Sequence, residues 1–212
     1  MKPRVVLADD HAILTEGLKA LLEREFEVVA IVDNGRAAIR AVRDFNPAVI
    51  ILDISMPLLN GIDTAREIRK FDPKIKIVFL SMHPDRAYVE EAFRAGASGY
   101  LIKHSASIDL LFAIRRVLLG RTYVTPGVAG SEVDAVPGGV RRGRKPSAQL
   151  TARQREVLQL LVEGRSAKEA AVILNLSSRT VEFHKYRIMR QLGLQTTAQL
   201  TQFAIKHKII SG

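Results

Sequence analysis

The amino-acid sequence predicts an α/β doubly wound domain built on a five-stranded parallel sheet, followed by a second, smaller all-α domain. Over residues 1–121, short apolar runs that favour strands alternate with longer stretches of helical spacing. The alternation stops over residues 122–149, and helical spacing returns from residue 150. Strands that alternate with helices are typical of βαβ units, whose right-handed crossovers cover a parallel sheet on both faces.

Five runs rich in β-branched and aliphatic residues are the predicted strands. They occupy residues 4–8, 27–31, 48–52, 75–80 and 98–102. The third run is almost continuously apolar, as expected for a strand that is buried on both faces. A stretch with helical spacing follows each strand, and aliphatic residues at helical spacing mark the first and last of these helices.

The second domain begins after an interval without any sustained apolar period. Residues 122–149 are rich in Gly, Pro and charge, so we expect a flexible linker between a domain at 1–121 and a domain at 150–212. Three hydroxyl residues then precede Gln or Glu by three positions, which is the capping-box signature of a helix start. These pairs are Thr151 with Gln154, Ser166 with Glu169, and Thr196 with Gln199. With Ser177 as a further N-cap, the pattern predicts four short helices.

The composition fits a chain with packed interiors in a reducing compartment. The 212 residues are 47% apolar and include no Cys, which excludes disulfides, thiolate metal sites and Cys nucleophiles. The longest apolar runs are far too short to span a membrane, and the N-terminal residues show no signal-peptide pattern. We therefore expect a soluble, cytoplasmic protein with no membrane partner.

The net charge of +10 is unevenly distributed. Residues 1–121 carry 18 Lys and Arg against 16 Asp and Glu, a net of +2, whereas residues 150–212 carry 10 against 4, a net of +6. A small basic domain attached to a nearly neutral one suggests a polyanionic partner for the second domain. A merely solvated basic surface is an equally open alternative.

Polar residues stand at the ends of four predicted strands. Asp9 and Asp10 follow the first, Asp53 the third, Ser81 the fourth and Lys103 the fifth. The carboxyl ends of parallel strands meet at one edge of the sheet, so these side chains should converge. Taken singly, each has an ordinary interpretation as a turn residue, a helix cap or a surface residue. Together they suggest a specific site.

Clustered carboxylates repel one another unless a cation joins them, and oxygen ligands favour Mg²⁺. A carboxylate beside such a metal, with a lysine and a hydroxyl opposite, is equipped to accept a phosphoryl group. The convergence therefore predicts phosphoryl chemistry at Asp53.

Four short motifs carry a resemblance to a known family. They are DD at 9–10, DISMPLLNG at 53–61, LS at 80–81 and GYLIK at 99–103. In this order and over residues 1–121, the sequence resembles the receiver domain of response regulators, a flavodoxin-like fold. The resemblance implies that Asp53 is the phospho-acceptor. It also implies that Mg²⁺ is held by Asp9, Asp10, Asp53 and the backbone carbonyl of Ser55.

The same resemblance implies roles for three further residues and a phosphodonor. Lys103 would contact the phosphoryl group, and Ser81 with Tyr100 would form the conformational switch, with Tyr100 moving into space that Ser81 vacates. The donor would be a phosphohistidine on a sensor histidine kinase. The sequence departs from many receivers at His104, where a proline is common, so the cis-proline geometry is not expected after Lys103.

The second domain resembles the LuxR-type helix-turn-helix over residues 150–193, so the whole chain resembles a NarL/FixJ-type transcription regulator. It departs at Ala170, where the family more often has Ile. Independently, helices at 166–174 and 178–192 joined by a short turn fit a motif that presents its second helix to the DNA major groove.

On that second helix, Val181, Ile188 and Leu192 share an apolar face, and polar and aromatic residues lie roughly opposite. Our hypothesis is that Phe183 contacts thymine methyl groups and Glu182 accepts from cytosine amino groups. An alternative is that Phe183 and Tyr186 pack on the receiver in the inactive state. The full candidate set for DNA contact is Arg179, Thr180, Glu182, Phe183, Lys185, Tyr186, Arg187 and Arg190.

These features predict a DNA-binding transcription regulator that is switched by Mg²⁺-dependent phosphorylation of Asp53 and dimerises when phosphorylated. RNA polymerase is a further candidate partner. Haloacid-dehalogenase-type phosphatases need a second Asp two residues after the nucleophile, and Ser55 stands at that position. We therefore expect that the protein is not an enzyme and that it only slowly dephosphorylates itself. A receiver controlled by a partner or ligand without phosphorylation is the alternative, and RNA is a less favoured target because no stacking motif is visible.

Overall fold

The computed structural model describes residues 1–128, 150–207 and 209–210. The chain forms two compact units, Met1–Arg141 and Arg142–Gly212. Within the described ranges, no helix combines the length and the apolar character that a membrane crossing needs.

The first unit contains a parallel sheet. Its strands are β1 (Arg4–Ala8), β2 (Glu27–Val32), β3 (Val49–Asp53), β4 (Lys76–Ser81), β5 (Gly99–Ile102) and β6 (Tyr123–Val124). They lie in the order β2-β1-β3-β4-β5-β6. The five predicted strands are confirmed, with ends that differ from the prediction by a residue or so.

Five helices cover the two faces of this sheet and enclose two apolar cores. The helices are α1 (Ala12–Leu22), α2 (Gly35–Phe45), α3 (Gly61–Phe71), α4 (Arg86–Arg94) and α5 (Ala106–Leu118). One core lies between the sheet and α2, α3 and α4, and the other between the sheet and α1 and α5. Every residue of β3 is buried, which confirms the prediction of a strand covered on both faces.

The short strand β6 is an addition to the five predicted strands, all of which are present. It lies in the range expected to be linker, yet Tyr123 and Val124 pair with Gly99 and Tyr100 of β5. Thr125 extends the contact, because its N–H donates to the Tyr100 carbonyl (3.0 Å) and its hydroxyl accepts from the Ile102 N–H (3.1 Å). The sequence shows no strand signal there because two residues cannot display a period. The rest of the predicted linker, 129–149, lies outside the described residues.

A close backbone approach joins the end of β3 to the start of α3. The Gly61 N–H donates to the Ile54 carbonyl at 2.9 Å. A Cβ at Gly61 would lie 2.1 Å from the carbonyl oxygen of Asp53, so only glycine fits without a shift of backbone. The side chain of Asn60 caps α3 by accepting from the Asp63 N–H. This junction fixes the backbone that carries Asp53.

The second unit is all-α, with helices α6 (Ala152–Val162), α7 (Ala167–Leu174), α8 (Ser178–Leu192) and α9 (Thr197–Lys206). All three predicted capping boxes are present, and Ser177 caps α8 by accepting from the Thr180 N–H at 3.0 Å. Asn175 ends α7 with a left-handed φ of 54° and turns the chain into α8. Ala170, where the family more often has Ile, is fully buried in the helical core.

Candidate functional site

The sheet topology brings the predicted polar residues to one edge. Strands β1, β3, β4 and β5 are consecutive in the sheet, and their carboxyl ends lead into Asp9, Asp53, Ser81 and Lys103. All four of these side chains are buried, with Asp53 only 1% exposed, whereas Asp10 is exposed. The apolar strand β3 therefore ends in a buried carboxylate, as the sequence predicts.

Lys103 joins the two buried carboxylates. Its ammonium lies 2.8 Å from Oδ2 of Asp9 and 3.0 Å from Oδ2 of Asp53. A single cation between two buried anions leaves a net negative charge in a region of low dielectric. The remaining charge favours a second cation at the same place.

The ionisation of Asp53 reflects this imbalance. Burial raises the pKa of the Asp53 carboxyl above its ordinary value, and the negative charge of Asp9 raises this pKa further. The Lys103 ammonium and the Ser55 backbone N–H lower the pKa, but they do not offset the first two effects. A bound divalent cation would supply the compensation that these groups do not.

The donor set fits Mg²⁺. Ligand atoms of Asp9, Asp10, His11 and Asp53 all lie within 4.8 Å of one another. The Oδ2 atoms of Asp9 and Asp53 are buried and accept no hydrogen bond of good geometry, although Lys103 is close to both. Clustered carboxylates whose negative charge exceeds what one lysine neutralises are suited to coordinate a hard cation.

In the second unit, α8 has a buried apolar face and an exposed face with charged and aromatic residues. Val181 and Ile188 are fully buried and face the helical core, whereas Leu192 is only half-buried. Phe183 is 55% exposed and Tyr186 is 64% exposed, which is unusual for large aromatic side chains. Exposed basic and acidic residues share this outer surface of α8, namely Arg179, Glu182, Arg187 and Arg190.

The contacts on α8 refine the predicted DNA-binding set. The guanidinium of Arg187 lies over the ring of Phe183, 5.6 Å from its centroid. Lys185 is half-buried, and its ammonium lies 3.9 Å from the Glu182 carboxylate. Thr180 is half-buried, and its hydroxyl lies 2.8 Å from the hydroxyl of Ser177, so it also takes part in the cap of the helix.

Each of the two units matches the model of a known protein family. A family model described as a response regulator receiver domain matches residues 5–115, and one described as bacterial regulatory proteins of the luxR family matches residues 148–204. The chain is a two-component response regulator of the NarL/FixJ type. Its family consists of DNA-binding transcription regulators and not of metabolic enzymes.

This response regulator is similar to other regulators over nearly its whole length. Transcriptional regulatory protein MctR of Rhizobium johnstonii is 38% identical over 212 residues, which cover 99% of this chain and 96% of the relative. Oxygen regulatory protein NreC of Staphylococcus aureus is 35% identical, covering 98% and 99%. A solved structure of two RcsB dimers bound to two parallel DNAs matches with a TM-score of 0.57 and 25% identity, covering 96% of this chain and 98% of that chain.

The predicted switch residues of the response regulator meet at the loop that follows β4. The Ser81 hydroxyl accepts from the His83 N–H (3.0 Å), and the Tyr100 hydroxyl donates to the His83 carbonyl (2.6 Å). The His83 ring stacks on Tyr88 of α4 at 4.2 Å. Tyr100 is fully buried, and this burial raises the pKa of its phenol well above the ordinary value. The structure holds Tyr100 already on the inside, so its expected inward movement stays a prediction.

His11, which the sequence pattern did not single out, also belongs to the acidic site. Its Nδ1 lies 2.9 Å from Oδ1 of Asp9, 3.0 Å from Oδ1 of Asp10 and 3.2 Å from the Lys103 ammonium. The adjacent triplet Asp-Asp-His was the available signal, because three residues of metal-ligating types in a row after a strand lie at the same sheet edge. The other sequence departure, His104, is exposed, and the peptide bonds among the described residues are all trans.

Proposed function

We propose that Asp53 accepts a phosphoryl group from a phosphohistidine of a sensor histidine kinase, and that this modification controls DNA binding by the second unit. The observation that carries the proposal is the buried Asp53 carboxylate, 3.0 Å from the Lys103 ammonium and beside the acidic residues Asp9 and Asp10. In this proposal the receiver domain extends to Val128, the DNA-binding domain begins at Leu150, and both act in the cytoplasm.

The transfer follows from the groups present. A carboxylate oxygen of Asp53 attacks the phosphorus, the P–O bond forms, the P–N bond to the donor imidazole breaks, and that imidazole takes up a proton. Lys103 is placed to hold a phosphoryl oxygen. Magnesium held by Asp9, Asp10, Asp53 and the Ser55 carbonyl would neutralise charge on the transferring oxygens.

Ser81 and Tyr100 would transmit the modification. Both are hydrogen-bonded to His83, through its N–H and its carbonyl respectively. A phosphoryl oxygen that recruits the Ser81 hydroxyl would release the His83 N–H and move the loop between β4 and α4. The stacking of His83 on Tyr88 passes this movement to α4. The receiver surface that includes α4 would then differ between the two states.

The second unit would bind the DNA major groove through α8. Its exposed charged and aromatic surface, the match to the luxR family and the RcsB–DNA complex support this. Phe183 and Glu182 would read bases, and the arginines of α8 would hold phosphates. Dimers of the phosphorylated chain would bind paired half-sites, as RcsB dimers bind DNA. RNA polymerase would be a further partner at the promoter.

The first prediction tests the phosphoryl chemistry. After incubation with Mg²⁺ and a small-molecule phosphodonor, intact mass should show one added phosphoryl group on the wild type and none on Asp53→Asn, because the amide that replaces the Asp53 carboxylate is not a nucleophile for phosphorus. Asp44→Asn is the matched control, since it changes a carboxylate outside the site and should be labelled as the wild type is. An unlabelled wild type, beside a receiver of known activity that is labelled, would favour control by a partner or ligand.

The second prediction concerns base recognition by α8. Phe183→Ala and Glu182→Ala should each remove about 1–3 kcal/mol of discrimination at one base position, because they lose a methyl contact or a hydrogen-bond acceptor. Arg190→Ala should weaken binding to all sequences alike and lower the salt slope by about one. Binding-site selection followed by fluorescence titrations would measure both quantities.

Lys206→Ala on α9 is the control, because it removes one positive charge as Arg190→Ala does. It should leave the base preferences unaltered. Unchanged preferences in both Phe183→Ala and Glu182→Ala would contradict base recognition by these two residues.

A further inference from the structure

The residues Val124–Val128, called the edge segment below, lie along the outer side of β5, next to the predicted switch residue Tyr100. Val124 pairs in register with Tyr100. The Thr125 N–H donates to the Tyr100 carbonyl at 3.0 Å, and the Thr125 hydroxyl accepts from the Ile102 N–H at 3.1 Å. The edge segment is therefore bound to the same strand that carries the switch tyrosine.

The apolar side chains of the edge segment share a core with the Tyr100 ring. Val124 and Val128 are 7% and 3% exposed, and both belong to the core between the sheet and α4 that contains Tyr100. Tyr123, in contrast, belongs to the core on the other face, where its ring meets the edge of Phe112 at 5.8 Å between centroids. Tyr123 is thus anchored independently of Tyr100, whereas the edge segment is not.

The position of the Tyr100 ring decides whether the edge segment has room to pack. Tyr100 stands in register between Phe79 of β4 and Val124 of β6. Its hydroxyl donates to the His83 carbonyl at 2.6 Å, and this bond holds the ring toward the loop after β4. A ring that left this place would turn toward β6, into the volume that Val124 and Val128 fill. Close-packed interiors have no spare space for both.

We infer that the edge segment is a latch, which docks on β5 when the Tyr100 ring lies inward and lifts from it when the ring turns outward. Tyr123 is the hinge, because its own anchor on α5 does not change. Phosphorylation of Asp53 would draw the Ser81 hydroxyl away, favour the inward ring and so favour docking. Because phosphorylation supplies this trigger, the latch rests on the proposed function.

Docking changes the point at which the chain leaves the receiver. Strand β6 runs parallel to β5, so the docked edge segment leads the chain to the carboxyl edge of the sheet, where Asp53 lies. With the edge segment lifted, the chain leaves at Tyr123, opposite Gly99 at the amino end of β5. The two exits are about 10 Å apart, at ~3.3 Å per residue of strand. The connection toward the second unit would therefore start at a different edge of the sheet in each state.

Hydrogen exchange of two backbone N–H groups in the full chain, resolved by NMR, measures the docking. Phosphorylation with Mg²⁺ and a small-molecule phosphodonor should slow exchange at Thr125 and Ile102 by about fivefold or more, the usual size of a coupling between sites. The control is the Lys76 N–H, which donates to the Ala48 carbonyl at 3.0 Å and should keep its rate. Unchanged exchange at Thr125 in protein phosphorylated on Asp53, or equal slowing at Lys76, would overturn the latch.

Tyr100→Phe tests the coupling without phosphorylation. The variant keeps the ring but loses the hydroxyl that donates to the His83 carbonyl, so exchange at Thr125 and Ile102 should become about fivefold faster. Tyr186→Phe is the matched control, because it removes a tyrosine hydroxyl from the exposed surface of α8 and should leave both rates unchanged.

Unchanged rates in Tyr100→Phe would reject the latch whatever phosphorylation does. Failure of Asp53 to take up a phosphoryl group would instead reject the proposed function and the phosphoryl trigger. Faster exchange in Tyr100→Phe would then still establish that the ring controls the edge segment.

The coupling must also act in reverse, because linkage between two equilibria is reciprocal. Val128→Ser should favour the lifted state and weaken binding of beryllium trifluoride, a non-covalent phosphoryl mimic, by about fivefold in the presence of Mg²⁺. Val172→Ser, at a position 82% exposed on α7, is the control and should bind the mimic as the wild type does. Thr125→Val removes only the hydroxyl that accepts from the Ile102 N–H, so it should give a smaller loss in a chain that folds normally. Full affinity in both edge-segment variants would contradict the reciprocal effect and overturn the latch.

Discussion

Lys103→Met should lower the free energy of unfolding of the metal-free protein by about 3–5 kcal/mol, the usual cost of breaking a buried ion pair by removing one partner. The wild-type ammonium lies 2.8 and 3.0 Å from carboxylate oxygens of Asp9 and Asp53. Methionine fills a similar volume but supplies no charge. Both carboxylates would then remain buried beside each other without a cation.

The loss should depend on pH in a defined direction. Burial and the charge of Asp9 already raise the pKa of Asp53 above its ordinary value in the folded protein. The folded state therefore binds this proton more readily than the unfolded state, and stability falls as the pH rises through this range. Without the ammonium the pKa of Asp53 rises further. The loss of unfolding free energy in Lys103→Met should therefore be smaller near about pH 5, where Asp53 can be protonated, than near about pH 8.

Urea unfolding in the presence of a chelator, at both pH values, measures this prediction. Lys70→Met is the matched control, because Lys70 is exposed and its ion pair with Glu67 lies on the surface, where such a pair contributes at most about 1 kcal/mol. Added Mg²⁺ should recover more stability in Lys103→Met than in the wild type, since the cation replaces the missing charge. Equal losses for the two variants would show that Lys103 does not neutralise this site.

Gly61→Ala and Gly17→Ala should have opposite effects on stability. A Cβ at Gly61 would lie 2.1 Å from the carbonyl oxygen of Asp53, which is backbone and cannot rotate away. The substitution should therefore cost about 1–3 kcal/mol, as overpacking usually does. Gly17 lies exposed within α1 with no heavy atom within 4 Å of a Cβ, so alanine there should stabilise by about 0.5–1 kcal/mol.

Thermal and urea unfolding of the two variants would measure these changes. Because the shift at Gly61 moves the backbone of Asp53, Gly61→Ala should also slow phosphoryl uptake in the intact-mass assay, whereas Gly17→Ala should leave the rate unchanged. A stable Gly61→Ala protein with the wild-type rate would mean that the junction between β3 and α3 adapts without moving Asp53.

The sequence was informative where local rules determine the structure. Asp9, Asp53, Ser81 and Lys103 could be placed at one edge because strand ends and parallel topology follow from periodicity. The capping boxes were equally accessible, because each depends on residues three positions apart.

The features that were not predictable depend on tertiary contacts. The ring direction of His11 is set by Asp9, Asp10 and the remote Lys103. The burial of Tyr100 beside the His83 carbonyl depends on a side-chain rotamer that no sequence pattern specifies. The strand β6 exists because β5 offers free backbone groups to it, and its own two residues carry too little signal.

The strand β6 also has a consequence for how copies of this chain can associate. An open sheet edge is a template on which a second molecule can add a strand, and such addition leads to uncontrolled aggregation. Here Gly99 and Tyr100 are paired with β6, and the Ile102 N–H is occupied by Thr125. The outer partner is only two residues long, too short to serve as a new template. A dimer formed at this side of the receiver would therefore use side chains on its helices, a kind of contact that the proposed phosphorylation would form and dissolve reversibly.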